Sequence, residues 1–356
     1  MRYIGNKENI IQRIYGILNA NGVNGKSFFD FCSGTASVAK FYKKENYRVY
    51  SSDVMYMSYC LQRAYIENNY SPEFQSLLPY LSRGKVMQTL FSTPLEIVLS
   101  YLDTLEPVYG FIFKNYSPEG SKELSVPRMY FTGENAGKID AVRERIEEWK
   151  KNCLITESEY YILLACLLET VSFHSNVAGV YAAFHKKWDP RAIKKLQLRP
   201  IEIISNEQQN KSYNTDSMRL LNEINVDILY LDPPYNERQY PPNYHILETI
   251  AKADEPIIHG ISGMRDYKEE KSGFCNRVTA LKDLEEIVER ANYKYFVMSY
   301  NSEGIMEQDE IIEILSRYGK VKLEEFEYQR FKSNNNGLSK VKKHVYEQLY
   351  ILTKGL

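Results

Sequence analysis

One short run in the 356-residue chain carries residue types that could do chemistry without a metal or a covalent intermediate. It is Asp232-Pro233-Pro234-Tyr235, directly after the largely apolar run Asp227–Leu231. Both prolines fix φ, and the first biases Asp232 toward an extended backbone. A strand ending this way offers two acceptors, the Asp232 carboxylate and the Pro233 carbonyl. An amine attached to an aromatic base is a weak nucleophile, because its lone pair is delocalised into the ring. Two acceptors holding its hydrogens shift the nitrogen toward a pyramidal geometry and stabilise the positive charge that arises in alkyl transfer. Tyr235 could stack on the planar base. The plain alternative is a strand-terminating turn with a packed tyrosine.

A second run, Phe28-Phe29-Asp30-Phe31-Cys32-Ser33-Gly34-Thr35-Ala36-Ser37, sits where a strand should pass into a helix. Small residues let the backbone approach a ligand closely. Gly34 can adopt dihedrals closed to other residues, and a helix start offers unpaired N–H groups. The run has one glycine, not GxGxxG, and the chain has no GK[ST], so a nicotinamide dehydrogenase or an NTPase fits poorly. Asp53 ends the next strand, 23 residues beyond Asp30. A carboxylate there can accept hydrogen bonds from the two hydroxyls of a ribose.

These residues need a scaffold, and the apolar pattern supplies one. The spacing predicts an amphipathic helix within residues 1–20, then a strand at Ser27–Phe31, a helix carrying Val38, Ala39 and Phe41, a strand at Val49–Ser52 and a helix near Met57–Glu67. The alternation returns with strands at Ile201–Ser205 and Val226–Leu231, a helix near 277–291, a strand at Tyr295–Ser299, a helix near 307–318 and strands at Val321–Tyr328 and Val345–Leu352. This is the rhythm of a doubly wound α/β sheet. Residues 68–155 break it with repeated prolines. Helices are expected near 92–105, 138–150 and 156–172, and 119–137 reads as a turn-rich loop. The expected division is 1–67 as the first part of a catalytic domain, 68–175 as inserted material, and 176–356 as the remainder.

Composition is ordinary: 44% hydrophobic, 26% charged, net charge -1, with an unusual 30 tyrosines. This excludes collagen-like, extremely charged and largely disordered chains. The charge gives no global sign of nucleic-acid binding. Residues 185–211 nevertheless sum to +4, 303–327 to -5 and 330–356 to +5. The five cysteines form no CxxC pair, and the five histidines show no HExxH or finger spacing. The expectation is a cytoplasmic protein with no structural metal, no signal peptide and no membrane span.

With these motifs in hand, the chain resembles the D12 class of adenine-specific DNA methyltransferases, the Dam-like alpha group. Arg2-Tyr3-Ile4-Gly5-Asn6-Lys7 resembles that family's N-terminal cofactor motif, and Phe29–Ala36 its glycine-rich turn. Asp53 matches its ribose-binding acid. Asn214-Thr215-Asp216-Ser217, with Asp216 sixteen residues before Asp232, resembles its adenine-ring contact. Asp232-Pro233-Pro234-Tyr235 matches its catalytic motif throughout. Asn176–Lys187 is similar to a DNA-facing segment. Asn236–Tyr240 with Asn243–His245 is similar to a branch associated with restriction–modification. Ser299–Gly304 is similar to a motif bordering the base pocket. One departure is Ala36, where the family usually has a second glycine.

The resemblance implies a mixed, doubly wound sheet of the S-adenosylmethionine-dependent methyltransferase type, with a mainly helical DNA-recognition domain inserted. It implies methyl transfer to adenine N6 in double-stranded DNA, on a base extruded from the stack, in partnership with a restriction endonuclease. A monomer and a dimer are both open. Catalysis falls to Asp232, Pro233, Pro234 and Tyr235. Cofactor binding falls to Tyr3, Lys7, Asp30, Phe31, Gly34, Ala36, Asp53, Asp216 and Ser217. DNA contacts fall to Phe184, Lys186, Lys187, Arg238 and Asn301. Within the insert, Arg83, Lys85, Lys122, Arg128, Tyr130, Lys138 and Arg143 are candidate base or phosphate contacts. His245 reads as structural or DNA-facing, and Cys32 as a small turn residue. Cytosine-N4 transfer, an RNA or other amine substrate, and a DNA-binding protein with an impaired methyltransferase fold remain as rivals.

Overall fold

The computed structural model describes residues 1, 3–82, 92–329 and 344–354. Arg2, Arg83, Lys85, the 334–337 loop and most of the basic tail lie outside the described residues. In chain order the strands are β1 (Ser27–Asp30), β2 (Arg48–Asp53), β3 (Lys211–Asn214), β4 (Asn225–Leu231), β5 (Ile258–His259), β6 (Met264–Arg265), β7 (Asn292–Asn301), β8 (Gly319–Gln329) and β9 (His344–Lys354). The α-helices are α1 (Ile11–Ala20), α2 (Ser37–Lys44), α3 (Tyr56–Gln62), α4 (Leu77–Ser82), α5 (Pro94–Thr104), α6 (Phe111–Tyr116), α7 (Gly133–Lys151), α8 (Glu157–Phe173), α9 (Pro241–Lys252), α10 (Arg277–Arg290) and α11 (Gln308–Ser316).

These form two compact units. One comprises Ile4–Gln62, Ser205–Pro241 and Lys268–Leu356. It holds a seven-stranded sheet in the order β3-β2-β1-β4-β7-β9-β8. The first five strands of that order run parallel, and β9 and β8 close the sheet antiparallel. All four residues of β1 are buried, as a central parallel strand covered on both faces requires. Phe28 of β1 stacks on Tyr42 of α2 with ring centroids 3.6 Å apart, which fixes that helix on the sheet. On the other side Phe29, Leu229, Leu231, Phe296 and Met298 pack with Leu284 and Ile287 of α10 and Ile311 of α11. The tyrosine surplus is partly explained by burial: Tyr42, Tyr230, Tyr300 and Tyr350 are fully buried here.

The chain leaves β1 toward β2 and β3 on one side, then returns through β4 toward β7 on the other. The order therefore reverses between β1 and β4. In open α/β sheets ligands bind at the carboxyl ends of the strands flanking such a switch point. The segments leaving these two strands begin at Phe31 and Asp232.

The other unit comprises Met1–Tyr3, Arg63–Ile204 and Pro242–Tyr267. Among its described residues the regular elements are helices apart from the β5–β6 ribbon, joined by long irregular stretches such as 174–204, and it contains the whole of 68–175. Four candidate nucleic-acid contacts are buried inside it. Arg128 donates to the carbonyls of Gly260, Ile261 and Asn115. Arg143 donates to the carbonyls of Ile250 and Ala251 near the end of α9. Lys138 donates to those of Asp103 and Leu105 at the end of α5. The Tyr130 hydroxyl donates to Tyr181 O. Helix ends leave carbonyls unpaired, and buried cations satisfy them here. Lys122 is exposed. His245 is buried with Nε2 2.9 Å from Tyr181 O, and burial pulls it down to about 4.

Two local expectations fail. Ile201–Ser205 forms no strand, and the edge of the sheet is β3 ten residues later. Residues 133–137 are helical rather than loop, because the Thr132 side chain accepts the Asn135 N–H and caps α7. Gly137 is needed there because a Cβ would meet Pro107 Cβ at 2.9 Å. Among the described residues no helix is long and apolar enough to cross a membrane.

Candidate active site

The turn after β1 is held by carboxylates from behind. Asp30, buried, accepts from Ser33 Oγ at 3.0 Å and from Ala39 N at 3.2 Å. Burial pushes its carboxyl up to about 7, against the pull of the Ser33 hydrogen bond. Asp53 Oδ2 accepts the Gly34 N–H at 2.8 Å, and its Oδ1 accepts Met55 N–H at 2.9 Å. The Ser217 hydroxyl donates to Phe31 O. Asp216 caps the short 3₁₀ turn Ser217–Leu220 through the Met218 N–H at 3.0 Å. Asn6 donates to Thr35 Oγ1 at 3.4 Å, which ties the N-terminal motif to the same turn.

The backbone of the turn is unusual at two places. Gly34 has φ +51° and Ala36 has φ +58°. The first suits glycine. The second forces an L-residue into the left-handed region, at a cost of roughly 1–2 kcal/mol. Ala36, standing where a second glycine was expected, therefore carries backbone strain.

Cys32 lies in the same turn. Its thiol is pushed well up, first by burial and then by Asp53, Asp30, Asp232 and Asp216. A thiol so raised is a poor nucleophile at neutral pH.

The turn after β4 adds the other half. Asp232 is one-fifth exposed, with Oδ1 3.1 Å from Lys7 Nζ. Burial raises its carboxyl, while Lys7 pulls it down and Glu347 pushes it up again. Lys7 Nζ also lies 2.9 Å from Oε1 of a fully buried Glu347. Burial alone would lower the Lys7 ammonium, but Asp232 and Glu347 hold it well above its usual range. Gly5, at φ +76°, makes the bend that delivers Lys7, and a Cβ there would meet Tyr240 Oη at 3.0 Å. Tyr235, half-buried, is fixed through its carbonyl, which accepts from Ile305 N at 3.0 Å. Gln239 is held on Ser272 by two hydrogen bonds, which orders the segment that follows.

Asp30, Phe31, Gly34, Ala36, Asp53, Asp216, Ser217, Lys7 and Asp232–Tyr235 thus share the carboxyl edge of one sheet. Other sequence candidates are placed differently. Tyr3 belongs to the helical unit, stacked on Tyr244 with centroids 4.2 Å apart. Phe184 belongs to it too, edge-on to Tyr130 at 5.0 Å. Lys186, Lys187 and Arg238 are exposed. Asn301 is buried, accepting from Glu303 N and donating to Tyr328 Oη. Glu347 was missed, because nothing in its spacing links it to residues 7 or 232.

Residues 3–314 match the family of D12 class N6 adenine-specific DNA methyltransferases. The chain belongs to this family. Among family relatives, it is 40% identical over 339 residues to Type II methyltransferase M.FokI of Planomicrobium okeanokoites, covering 94% of this chain and 50% of that protein. It is 35% identical to Modification methylase StsI of Streptococcus sanguinis, covering 99% of this chain and 52% of that one. It is 36% identical to Type II methyltransferase M.NlaIII of Neisseria lactamica, over 99% of each. The chain thus spans about half the length of the first two, and nearly all of the third.

Proposed function

We propose that the chain is a site-specific DNA adenine-N6 methyltransferase of the restriction–modification kind, drawing its methyl group from S-adenosylmethionine. The observation that carries this reading is Asp232-Pro233-Pro234-Tyr235 at the end of β4, beside the acid-held turn that leaves β1. The donor fits the residues present. Asp53 is partly exposed at a strand end with its carboxylate oriented by two backbone N–H groups, as a ribose acceptor requires. When bound, S-adenosylmethionine supplies a methyl group on positively charged sulfur.

In this reading Asp53 takes the ribose, while Asp216, Ser217 and Phe31 border the adenosine. Lys7 and Asp30 shape the pocket without touching the transferred group. The Asp232 carboxylate and the Pro233 carbonyl accept the two hydrogens of the target amine, and Tyr235 stacks on the extruded adenine. With the donor bound, its sulfonium methyl would pass to the amine lone pair held by Asp232 and Pro233, the sulfur keeping the electrons of the broken bond. The extra amine proton is then lost to solvent. Residues 1–67 and 176–356 form the catalytic part, and 68–175 reads the target sequence. Phe184, Lys186, Lys187 and Arg238 face double-stranded DNA, while Asn301, buried and bonded to Glu303 and Tyr328, supports the fold. The partner enzyme is a restriction endonuclease of the same specificity.

Incubation of duplex DNA with the protein and labelled S-adenosylmethionine, followed by methylome mapping, tests this. N6-methyladenine in one sequence context, absent with Asp232→Ala, is the expected result. Label recovered as N4-methylcytosine would overturn the base assignment. Cofactor binding without transfer to any duplex would overturn the activity.

A further inference from the structure

Lys7 creates a difficulty for the proposed chemistry. An ammonium 3.1 Å from Asp232 neutralises the carboxylate meant to face an amine that turns positive. It also competes for the acceptor sites on that carboxylate. The chain contains a second buried acid at this point. Glu347 lies on β9, opposite Asn301 of β7, and is fully buried. Its Oε1 receives both Lys7 Nζ and the Ser299 hydroxyl, and its Oε2 has no hydrogen-bond partner among the described residues. Burying a carboxylate with one oxygen unsatisfied costs free energy, so a purely architectural role is poorly served by glutamate.

We propose that Glu347 is a positioning residue for methyl transfer: it shares the Lys7 ammonium, leaving Asp232 a net negative charge and an available oxygen for the target amine. This rests on the methyltransferase reading above. Two carboxylates around one ammonium sum to -1, and that surplus favours the developing cation. The ammonium in turn keeps the two acids from repelling one another into protonation. Lys7 is fixed between them by the Gly5 bend, and Glu347 by Ser299, so the charge is arranged before the base arrives. The other titratable groups that act on Asp232 or feel its charge are Asp30 at the end of β1, Cys32 just beyond it and Tyr230 on β4. Tyr328 on β8 feels the Lys7–Glu347 pair. None of these is altered by the test.

The test reads the Asp232 carboxyl directly by infrared difference titration of the full chain, its band assigned with Asp232→Asn. Glu347→Gln removes one negative neighbour and should lower the Asp232 midpoint by roughly 1 pH unit, whereas Lys7→Met should raise it by a similar amount. In single-turnover methylation at saturating cofactor and DNA, Glu347→Gln should cut the rate about 10-fold or more, with cofactor affinity unchanged. The acid limb of its rate–pH profile should move to lower pH. A folded Glu347→Gln protein with an unmoved midpoint overturns the proposal, as does an unchanged rate. If Glu347→Gln does not fold, Lys7→Met with an unmoved midpoint overturns it instead. The midpoints do not depend on turnover, so a wild-type protein that transfers no methyl group would sink the activity alone.

Discussion

In the proposed reaction Asp232 has to be ionised to accept hydrogens from an amine, and its largely buried position raises its carboxyl. The acid limb of the methylation rate is therefore expected above the ordinary carboxylate range, and Asp232→Asn should lose at least about 100-fold in turnover while cofactor affinity holds. A rate flat down to pH 4 would show that a different group accepts the amine. Asp30 makes a separate statement about stability. Its folded carboxyl is raised to about 7, so the folded state holds a proton more tightly than the unfolded chain does. The sign follows from linkage: this contribution is full below the unfolded value of about 4 and is lost as pH rises through about 7. Urea unfolding at pH 5 and pH 8 should show wild type losing more stability between the two than Asp30→Asn. Equal losses in both proteins would mean that Asp30 is not protonated in the fold.

The turn after β1 is the element in which sequence and backbone disagree most. Ala36 occupies a left-handed position at the start of α2, so Ala36→Gly is expected to stabilise the protein by roughly 1 kcal/mol. A urea midpoint that falls instead would mean that the Ala36 methyl group contributes more by packing than its backbone costs. Gly5→Ala should act oppositely, since its φ is +76° and Tyr240 Oη stands 3.0 Å from the added carbon. The legible elements were those whose side chains report their surroundings. The buried runs of β1 and β4, and the apolar stripe of α1, all read directly from residue types. Lys211–Asn214 did not, because an edge strand pairs on one side only and KSYN need not be apolar. Ile201 and Ile204 misled for the complementary reason, being buried without pairing in a sheet. The site divided along the same line. Asp30, Asp53 and Asp232 stand at strand ends, where local pattern marks them. Glu347 meets Lys7 only through the pairing of β9 with β7, a long-range fact that no local motif encodes.

At the scale of the whole molecule, a net charge of -1 must be reconciled with the proposed polyanionic substrate. The helical unit uses Arg128, Lys138 and Arg143 on its own carbonyls, so those cations cannot also meet phosphates without undoing the fold. The exposed Lys186 and Lys187 are different, and the stretch 185–211 keeps its +4 excess. Counterion release makes DNA affinity fall with salt in proportion to the number of phosphates neutralised. Paired measurements of DNA affinity across a salt series should give Lys186→Ala/Lys187→Ala a slope shallower by about 2 than wild type. Phosphate contacts position a protein but carry no sequence information, so the methylated sequence should stay the same. An unchanged slope would remove these lysines from the DNA contact. A changed methylation sequence with an unchanged slope would assign them to base reading. The expected pair of results, weaker binding with specificity intact, would locate part of the affinity in a local basic segment that the charge of the whole chain conceals.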